Sequence, residues 1–429
     1  MRHSSNGLRL LLLGMPGSPW GQTLAVRSLT RMFTEDPRIE VVGIDALAPI
    51  PTGLDEEPFD IIVLSPTFLA ARFSPELLSA TQSKFSFLQS STALKVAMPQ
   101  DDYDCAFILD NWLSEWQIDL VYTVCPHNWD LLYPRLHQTG RLRLGYTGYI
   151  LDSELRELGT TKDWEGRSID VSYRTSQLPP NFGELGYLKS EIVNLFRQKL
   201  PAKNELILDM STHAKNRITG NAWYSFLENS RFVLVSPSGS SLIDPFGDLR
   251  QEVQTAPLKS MKPDEFLSSI EGLRFIECEN TMLSPRNIEA CLLGTTQVAI
   301  TAEYSGILQP NVHYIPLDTS LDIAARIRDK HGWSIMRRSA FEAILSFSHL
   351  RASNFVGELI RNTANGPDRF LPLSDTLNKR ARCRRGGLQK RATIRAIQYW
   401  SMRRLRDQLE TGFSLLRSAF WRNRQSSGQ

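Results

Sequence analysis

Residues 282–318 read MLSPRNIEACLLGTTQVAITAEYSGILQPNVHYIPLD and alternate between a helix and apolar strands. Ser284 and Pro285 are typical of the first positions of a helix, and Gly294 is typical of the residue at which a helix ends. The apolar run 297–301 then predicts a buried strand. Because a helix followed by a continuously apolar strand is the repeating unit of α/β proteins, this stretch predicts a parallel sheet covered by helices.

The same helix carries an acidic side chain one turn inside its N-terminus. Backbone N–H groups and the helix dipole attract phosphate at this end, and the carboxylate of Glu289 can accept hydrogen bonds from ribose hydroxyls. The arrangement therefore favours a nucleotide-sugar as ligand. The structural alternative is an ordinary helix capped by Ser284, with Arg286 and Glu289 as a surface ion pair.

Apolar runs of strand length recur throughout the chain. They alternate with helix-length segments and predict two α/β units, each with a parallel sheet covered on both faces. The predicted strands are 8–13, 41–44, 61–65, 94–98 and 120–124 in the first unit, and 169–173, 206–210, 232–235, 273–276 and 297–301 in the second. Ligands of such sheets bind beyond the carboxyl ends of the strands.

A chain of 429 residues is too long for one ordinary core. We predict an N-terminal Rossmann-like domain over residues 1–151 and a C-terminal one over 165–330, facing each other across a cleft. Closing helices follow over 331–370. A basic, amphipathic, helical tail over 379–429 ends the chain.

The composition indicates a globular protein from a reducing compartment. Hydrophobic residues make up 41% of the chain and charged residues 22%. The five cysteines are scattered and include no C-x-x-C pair, which argues against a disulfide framework or a zinc site. The longest apolar run near the N-terminus, Leu10 to Leu13, is too short to cross a bilayer. We therefore expect a cytoplasmic protein.

Positive charge is concentrated in the tail. Residues 379–424 hold fourteen Lys or Arg and two acids, a net charge of +12, whereas the whole chain carries +3, so the remainder carries −9. Within 388–424, apolar residues recur at helical spacing beside arginines and aromatic residues, which is typical of a helix on an anionic membrane surface. The alternatives are a helix packed on the acidic body and a disordered arm that binds nucleic acid. We favour peripheral attachment to the inner face of the membrane and expect no nucleic acid.

The order S-P-R-x-x-E-A, a glycine, a strand, Y-S-G-I-L-x-P and H-Y-I-P-L resembles the donor-site signature of GT-B glycosyltransferases of the retaining group 1 type. Within that type it resembles a family 4-like branch of spore-maturation and polysaccharide-biosynthesis enzymes. The resemblance implies transfer of a sugar from a nucleotide-sugar to a glycan or lipid-linked acceptor, without a metal or other cofactor. It implies that Glu289 binds the ribose, with Ser284 and Arg286 at the phosphate or sugar end. It also implies that the turn with Ser305 and Gly306 belongs to the same donor site.

The chain departs from that signature at one position. Met282 stands seven residues before Glu289, where the broad family has a second glutamate that contacts the donor sugar. The identity of the sugar-contacting residue therefore stays open, as does the choice between retention and inversion.

A second block resembles the diphosphate-binding part of the same family. It consists of a strand that ends at Arg174 and a helix that carries Lys189. A guanidinium at this place can grip a diphosphate and stabilise the charge that develops on the leaving group. Arg174 is thus an expected catalytic residue and Lys189 an expected donor-binding residue. The alternative is that Arg174 caps the strand end or pairs with Glu184.

A third block places small residues after a strand. Ser238, Gly239 and Ser240 predict a loop whose free N–H groups bind an anion or sugar hydroxyls. A plain surface turn is the alternative.

The first domain offers candidates at the carboxyl ends of its predicted strands. Gly14 and Gly17 lie in a glycine-rich loop without the spacing of a dinucleotide or P-loop motif, and in GT-B enzymes this loop meets acceptor and donor. His127 suits hydrogen bonding to a sugar, or general-base catalysis in an inverting enzyme, although a structural histidine is the simpler interpretation. The acidic run 101–104 is expected to be a solvated loop that holds no metal.

Two other functions remain compatible with the sequence. A GT-B sugar-nucleotide epimerase would use the same donor site without an acceptor. A catalytically silent scaffold would retain nucleotide-sugar binding alone.

Overall fold

The computed structural model describes residues 7–16, 24–157, 163–255, 261–270, 272–317 and 322–365. Gly17 and the predicted basic tail lie outside the described residues. Within these ranges, no helix combines the length and the apolar character needed to cross a membrane.

The first domain is built on a parallel sheet, as predicted, but the sheet has six strands where the sequence predicts five, and the additional strand is the last one. The strands are β1 (Leu8–Gly14), β2 (Ile39–Asp45), β3 (Ile61–Leu64), β4 (Leu94–Ala97), β5 (Leu120–Thr123) and β6 (Leu142–Leu144), and the helices are α1 (Leu24–Thr34), α2 (Pro66–Leu69), α3 (Pro75–Lys84), α4 (Ala106–Glu115), α5 (Trp129–Leu132) and α6 (Asp152–Glu157). The strand order is β2-β1-β3-β4-β5-β6, with every pair parallel. Strands β3, β4 and β5 are buried along their whole length, because helices cover both faces.

The second domain is built on a sheet of five parallel strands. Its strands are β7 (Ile169–Arg174), β8 (Leu208–Ser211), β9 (Ser230–Val235), β12 (Thr296–Ala299) and β13 (Tyr314–Pro316). The helices after residue 180 are α7 (Gly183–Gln198), α8 (Asn221–Glu228), α9 (Asp248–Thr255), α10 (Pro263–Ser269), α11 (Pro285–Leu292), α12 (Ile323–Arg328), α13 (Lys330–Ser346) and α14 (Ala352–Asn365). The strand order is β13-β12-β9-β7-β8, and the predicted architecture of two Rossmann-like sheets is confirmed.

The prediction of a sheet strand over 273–276 is wrong. Strands β10 (Ser238–Ile243) and β11 (Ile276–Met282) form a separate antiparallel ribbon, and β13 is the fifth strand of the main sheet. The first half of β11 alternates between exposed and half-buried residues. Since a central parallel strand needs a continuous apolar run, this segment suits a ribbon with one covered face.

The ribbon fastens the second domain to the first. Ile243 and Met282 are buried in the core that underlies the first sheet. The backbone N–H of Asp244 donates to the carbonyl oxygen of Tyr103 at 2.7 Å, and that of Ala106 donates to the carbonyl oxygen of Asp244 at 3.0 Å. Apolar burial and backbone hydrogen bonds therefore both cross the domain boundary here.

Helix α14 also contacts the first domain. The Phe355 ring lies edge-on to Tyr122 and Phe33, with centroid distances of 4.7 and 6.3 Å. The Tyr122 hydroxyl donates to Glu358 at 2.9 Å. The chain thus returns from the second domain to pack on the first.

The acidic run 101–104 is not a solvated loop, which corrects the expectation from sequence. Asp102 and Asp104 are 0% and 2% exposed. Asp104 pairs with Arg250 on α9, whose Nε lies 3.0 Å from Oδ2. Arg72 donates to the carbonyl oxygen of Asp104 at 3.0 Å. Asp104 can be buried because its countercharge comes from a residue 146 positions away in the chain, whereas Asp101 stays exposed.

Replacing Arg250 by Met should lower the free energy of unfolding by about 3–5 kcal/mol, because Asp104 would stay buried without its cation. Denaturation in urea, followed by circular dichroism, measures this change. Arg217→Met, at an exposed position of the same domain, should leave the midpoint unchanged. A loss below about 1 kcal/mol for Arg250→Met would show that the pair is not a buried one.

Asp244 should make stability depend on pH in an unusual direction. Burial, with a smaller contribution from the nearby carboxylate of Asp104, raises the pKa of this carboxyl to about 7. At a pH above the ordinary carboxyl pKa of about 4, Asp244 is ionised in the unfolded chain but remains protonated in the folded chain. The contribution of this group to stability therefore falls as the pH rises from about 4 towards 7. The unfolding free energy of the wild type minus that of Asp244→Asn should therefore decrease between pH 5 and pH 8 in urea titrations. A difference that grows with pH would contradict the assignment.

Candidate functional site

Arg174 ends strand β7, at the edge of the sheet where ligands of parallel sheets bind. Its Nη1 donates to the carbonyl oxygen of Asp209 at 2.8 Å, and its Nη2 lies 2.6 Å from Asp209 Oδ1. The guanidinium carbon lies 4.5 Å from the centroid of the Phe226 ring. Arg174 thus pairs with Asp209 on the adjacent strand and not with Glu184. Its bonds to the carbonyl oxygens of Tyr173 and Asp209 fit the other alternative, in which it caps the strand end.

Arg286, in the first turn of α11, lies beside Arg174. Its Nη2 donates to the Arg174 carbonyl oxygen at 2.5 Å. The guanidinium carbon lies 4.9 Å from the ring centroid of Tyr173 and 5.3 Å from that of Trp223. Its Nε is buried and makes no hydrogen bond to the part of the chain that the structure describes. Two residues 112 positions apart in the sequence are therefore neighbours.

Lys189, on α7, is the third cation of this group. Its carbonyl oxygen accepts a hydrogen bond from the Tyr173 hydroxyl at 2.7 Å, which anchors the helix to β7. Burial lowers the pKa of the ammonium to about 8; nearby Asp101 opposes this shift and nearby Arg286 adds to it. We call Arg174, Lys189 and Arg286 the cation cluster.

Glu289 lies one turn after Arg286 on the same helix. Its Oε2 accepts a hydrogen bond from the Trp223 indole N–H at 2.7 Å. Burial raises the pKa of the carboxyl, while the indole N–H and Arg286 act in the opposite direction. No ion pair joins Glu289 to Arg286 among the residues described, so the two are not the surface pair of the structural alternative.

Ser284 caps α11 through a network that the sequence did not reveal. Its N–H and hydroxyl both donate to Asn287 Oδ1, at 2.9 and 2.7 Å. Asn287 in turn donates to Gln297 Oε1 at 2.8 Å, and both amides are buried. The network joins the N-terminus of α11 to strand β12 and so fixes the direction in which Arg286 and Glu289 project.

Ser238, Gly239 and Ser240 do not form the predicted anion-binding loop. They lie in β10, where Gly239 pairs with Thr281 of β11. A Cβ on Gly239 would lie 1.8 Å from the Asn280 carbonyl oxygen, so the glycine is required by close strand contact. Ser240 is fully buried and donates to the Leu242 carbonyl oxygen at 2.7 Å. Small polar residues resemble a loop in sequence, but here they allow two strands to approach closely.

Ser305 and Gly306 lie in a left-handed turn after β12. Tyr304, Ser305 and Gly306 have φ values of +43°, +54° and +73°. The Ser305 hydroxyl accepts a hydrogen bond from the Leu283 N–H at 3.4 Å, which ties the turn to the residue before the cap of α11. Gly306 is exposed. The turn therefore borders the start of the helix.

His127 bridges the two domains. Its Nε2 lies 2.5 Å from Oε2 of Glu303, in the loop after β12. The next residue, Asn128, donates to Asn280 Oδ1 on the ribbon at 2.8 Å. The sequence does not predict Glu303 as a candidate site residue, because only the fold places it opposite His127.

Gly14 ends β1 at the carboxyl edge of the first sheet. A Cβ at this position would lie 3.2 Å from both Ser65 Oγ and Thr67 Oγ1. The Met15 N–H donates to Thr67 Oγ1 at 2.9 Å. The start of the glycine-rich loop is thus held against the start of α2.

No protein-family model matches the chain, and no curated protein matches it. Several solved structures are similar in fold. Anabaena HepE in complex with UDP-glucose is 12% identical, with a TM-score of 0.41 and coverage of 83% of this chain and 100% of that one. An α-glucosyltransferase in complex with UDP-glucose and DNA is 10% identical, with a TM-score of 0.46 and coverage of 84% and 100%. AviGT4, a glycosyltransferase involved in avilamycin A biosynthesis, is 13% identical, with a TM-score of 0.41 and coverage of 84% and 99%. These TM-scores lie below 0.5, and the two-sheet architecture is shown by the strand order and connections of this chain itself.

Proposed function

We propose that the protein is a GT-B glycosyltransferase that moves a sugar from a nucleotide-sugar to a glycan or lipid-linked acceptor. The observation that carries the proposal is the convergence of the cation cluster with Glu289 beside the carboxyl end of β7. The cluster would bind the diphosphate and Glu289 the ribose.

The charge balance of the cluster supports a diphosphate ligand. Arg174 is compensated by Asp209, whereas the Lys189 ammonium makes no hydrogen bond to the described residues. Lys189 is half-buried, and a bound phosphate would supply an anion for its ammonium. Arg286 offers further donors beside Lys189, since among the described residues its Nη2 is bonded only to a carbonyl oxygen.

The position of Glu289 supports a role in ribose binding. Trp223 occupies Oε2, and Oε1 accepts no hydrogen bond from the residues that the structure describes. A half-buried carboxylate oxygen without a donor can accept from a sugar hydroxyl. The carboxylate and the cation cluster lie on one helix and its neighbours, as a ribose and its attached diphosphate require.

The chemistry follows from positioning and charge. The cation cluster would stabilise the negative charge that develops on the leaving diphosphate as the glycosidic bond breaks. The contact between His127 and Glu303 would hold the two domains together over the donor. This closure would exclude water from the donor. His127 is also the candidate contact to the sugar.

The acceptor would lie against the first domain, near Gly14 and Gly17. The basic segment 388–424 would attach the protein to an anionic membrane surface on its cytoplasmic side, where lipid-linked acceptors are found. We assign residues 1–151 to the acceptor side and 165–330 to the donor side, with the family 4-like branch as the expected relative.

Changing Glu289 to Gln should weaken donor binding about ten-fold or more, or abolish turnover, while circular dichroism and the melting temperature stay near wild-type values. Glu205→Gln, an exposed carboxylate of the same domain, serves as the control. Unchanged donor affinity and turnover in Glu289→Gln would overturn the assignment.

Product analysis with and without acceptor separates the transferase from an epimerase. Failure of the wild type to bind any member of a nucleotide-sugar panel, measured by thermal stabilisation, would favour a scaffold.

Replacing Lys189 by Met should weaken binding of inorganic pyrophosphate about ten-fold at pH 7, because a charged hydrogen-bond donor is lost. Since the pKa of Lys189 is about 8, wild-type affinity should fall between pH 7 and pH 9 more steeply than that of the variant. Calorimetric titration measures both effects. Lys203→Met, at an exposed position, should behave as the wild type, and equal affinities of Lys189→Met and wild type would exclude Lys189 from the site.

A further inference from the structure

Trp223 contacts two candidate donor-site residues at once. Its indole N–H donates to Glu289 Oε2 at 2.7 Å, and its ring centroid lies 5.3 Å from the guanidinium carbon of Arg286. The side chain is nearly buried, at 9% exposed. Arg286 and Glu289 lie one turn apart on α11, so a single indole spans both.

A second aromatic ring on α8, that of Phe226, lies against another arginine of the cation cluster, Arg174. Phe226 follows Trp223 by one helical turn, and the two centroids are 5.9 Å apart. The guanidinium carbon of Arg174 lies 4.5 Å from the Phe226 centroid. One face of α8 therefore presents two aromatic rings to two arginines of the cation cluster.

An indole in this place exerts two separable effects. Its single N–H donor fixes the orientation of the carboxylate and favours the ionised form. Its ring face attracts the guanidinium, which limits the positions that Arg286 can adopt. Phenylalanine would retain the ring and lose the donor, whereas leucine would lose both.

We propose that Trp223 is a positioning residue of the donor site, which orients Glu289 through its indole N–H and Arg286 through its ring. The inference rests on the proposed function, because it assigns those two residues to donor binding. Trp223 touches neither diphosphate nor sugar in this assignment. Its effect on binding passes through the carboxylate and the guanidinium.

The contact itself can be tested without any ligand. With ¹⁵N-labelled indoles, the Trp223 signal is the one lost in Trp223→Phe. It should shift with pH as Glu289 titrates, and the shift should vanish in Glu289→Gln. An indole signal that does not respond to Glu289→Gln would overturn the proposal, whether or not the protein binds nucleotides.

The positioning effect is tested by calorimetry with UDP, GDP, ADP and inorganic pyrophosphate. Trp223→Phe should weaken the nucleoside diphosphate that binds best about ten-fold and leave pyrophosphate within two-fold, because only the ribose contact is impaired. The acid limb of the nucleotide affinity should move to higher pH, since the carboxylate loses a donor that favours ionisation. Trp223→Leu should weaken both ligands.

The control is Trp333→Phe, which removes an indole donor to the Arg231 carbonyl oxygen in the core of the same domain. It should leave both affinities and the pH profile unchanged. Equal nucleoside-diphosphate affinity and pH profile in Trp223→Phe and wild type would overturn the positioning role. Absence of nucleoside-diphosphate binding in the wild type, with an indole signal that still titrates, would instead overturn the proposed function.

Discussion

The candidate donor site depends on one constraint: the three cations of the cation cluster lie together in a partly buried place, and their charge must be compensated. Neighbouring like charges repel each other, and burial adds a desolvation cost to each cation. Each cation of the cluster has a different neighbour. Asp209 pairs with Arg174, two aromatic faces flank Arg286, and Asp101 lies near Lys189. The elements that carry these partners, β8, α8 and the loop after β4, must pack around β7 and α11 for the cluster to exist.

The sequence predicts the two sheets well because their determinants are local. Continuous apolar runs such as Leu10 to Leu13 and 232–235 become buried parallel strands, since only such runs tolerate helices on both faces. The ribbon of β10 and β11 is not predicted by this pattern of apolar runs. Its strands contain Ser, Gly, Asn and Glu, and their pairing is set by close approach at Gly239 and by cover from the first domain.

The candidate site residues likewise fall into a group that local sequence predicts and a group that it does not. Glu289 and Arg286 are predictable because helix geometry places both at the start of α11, and the cap at Ser284 is visible in the sequence. Their partners are not predictable in this way. Trp223 precedes Glu289 by 66 positions, and Glu303 meets His127 across 176 positions. Such contacts depend on which helices and loops the two sheets bring together, and local periodicity carries no information about that.

The two domains share the electrostatics of the site, so its charge state depends on how they pack. Asp101 belongs to the first domain and opposes the fall in the pKa of Lys189, which belongs to the second. The acidic run that holds Asp101 is itself fixed by Arg250 and by the ribbon. A change at that distant ion pair is therefore expected to disturb a carboxylate whose charge acts on Lys189. The contacts of 101–104 are thus part of what sets the charge of Lys189 on the opposite domain.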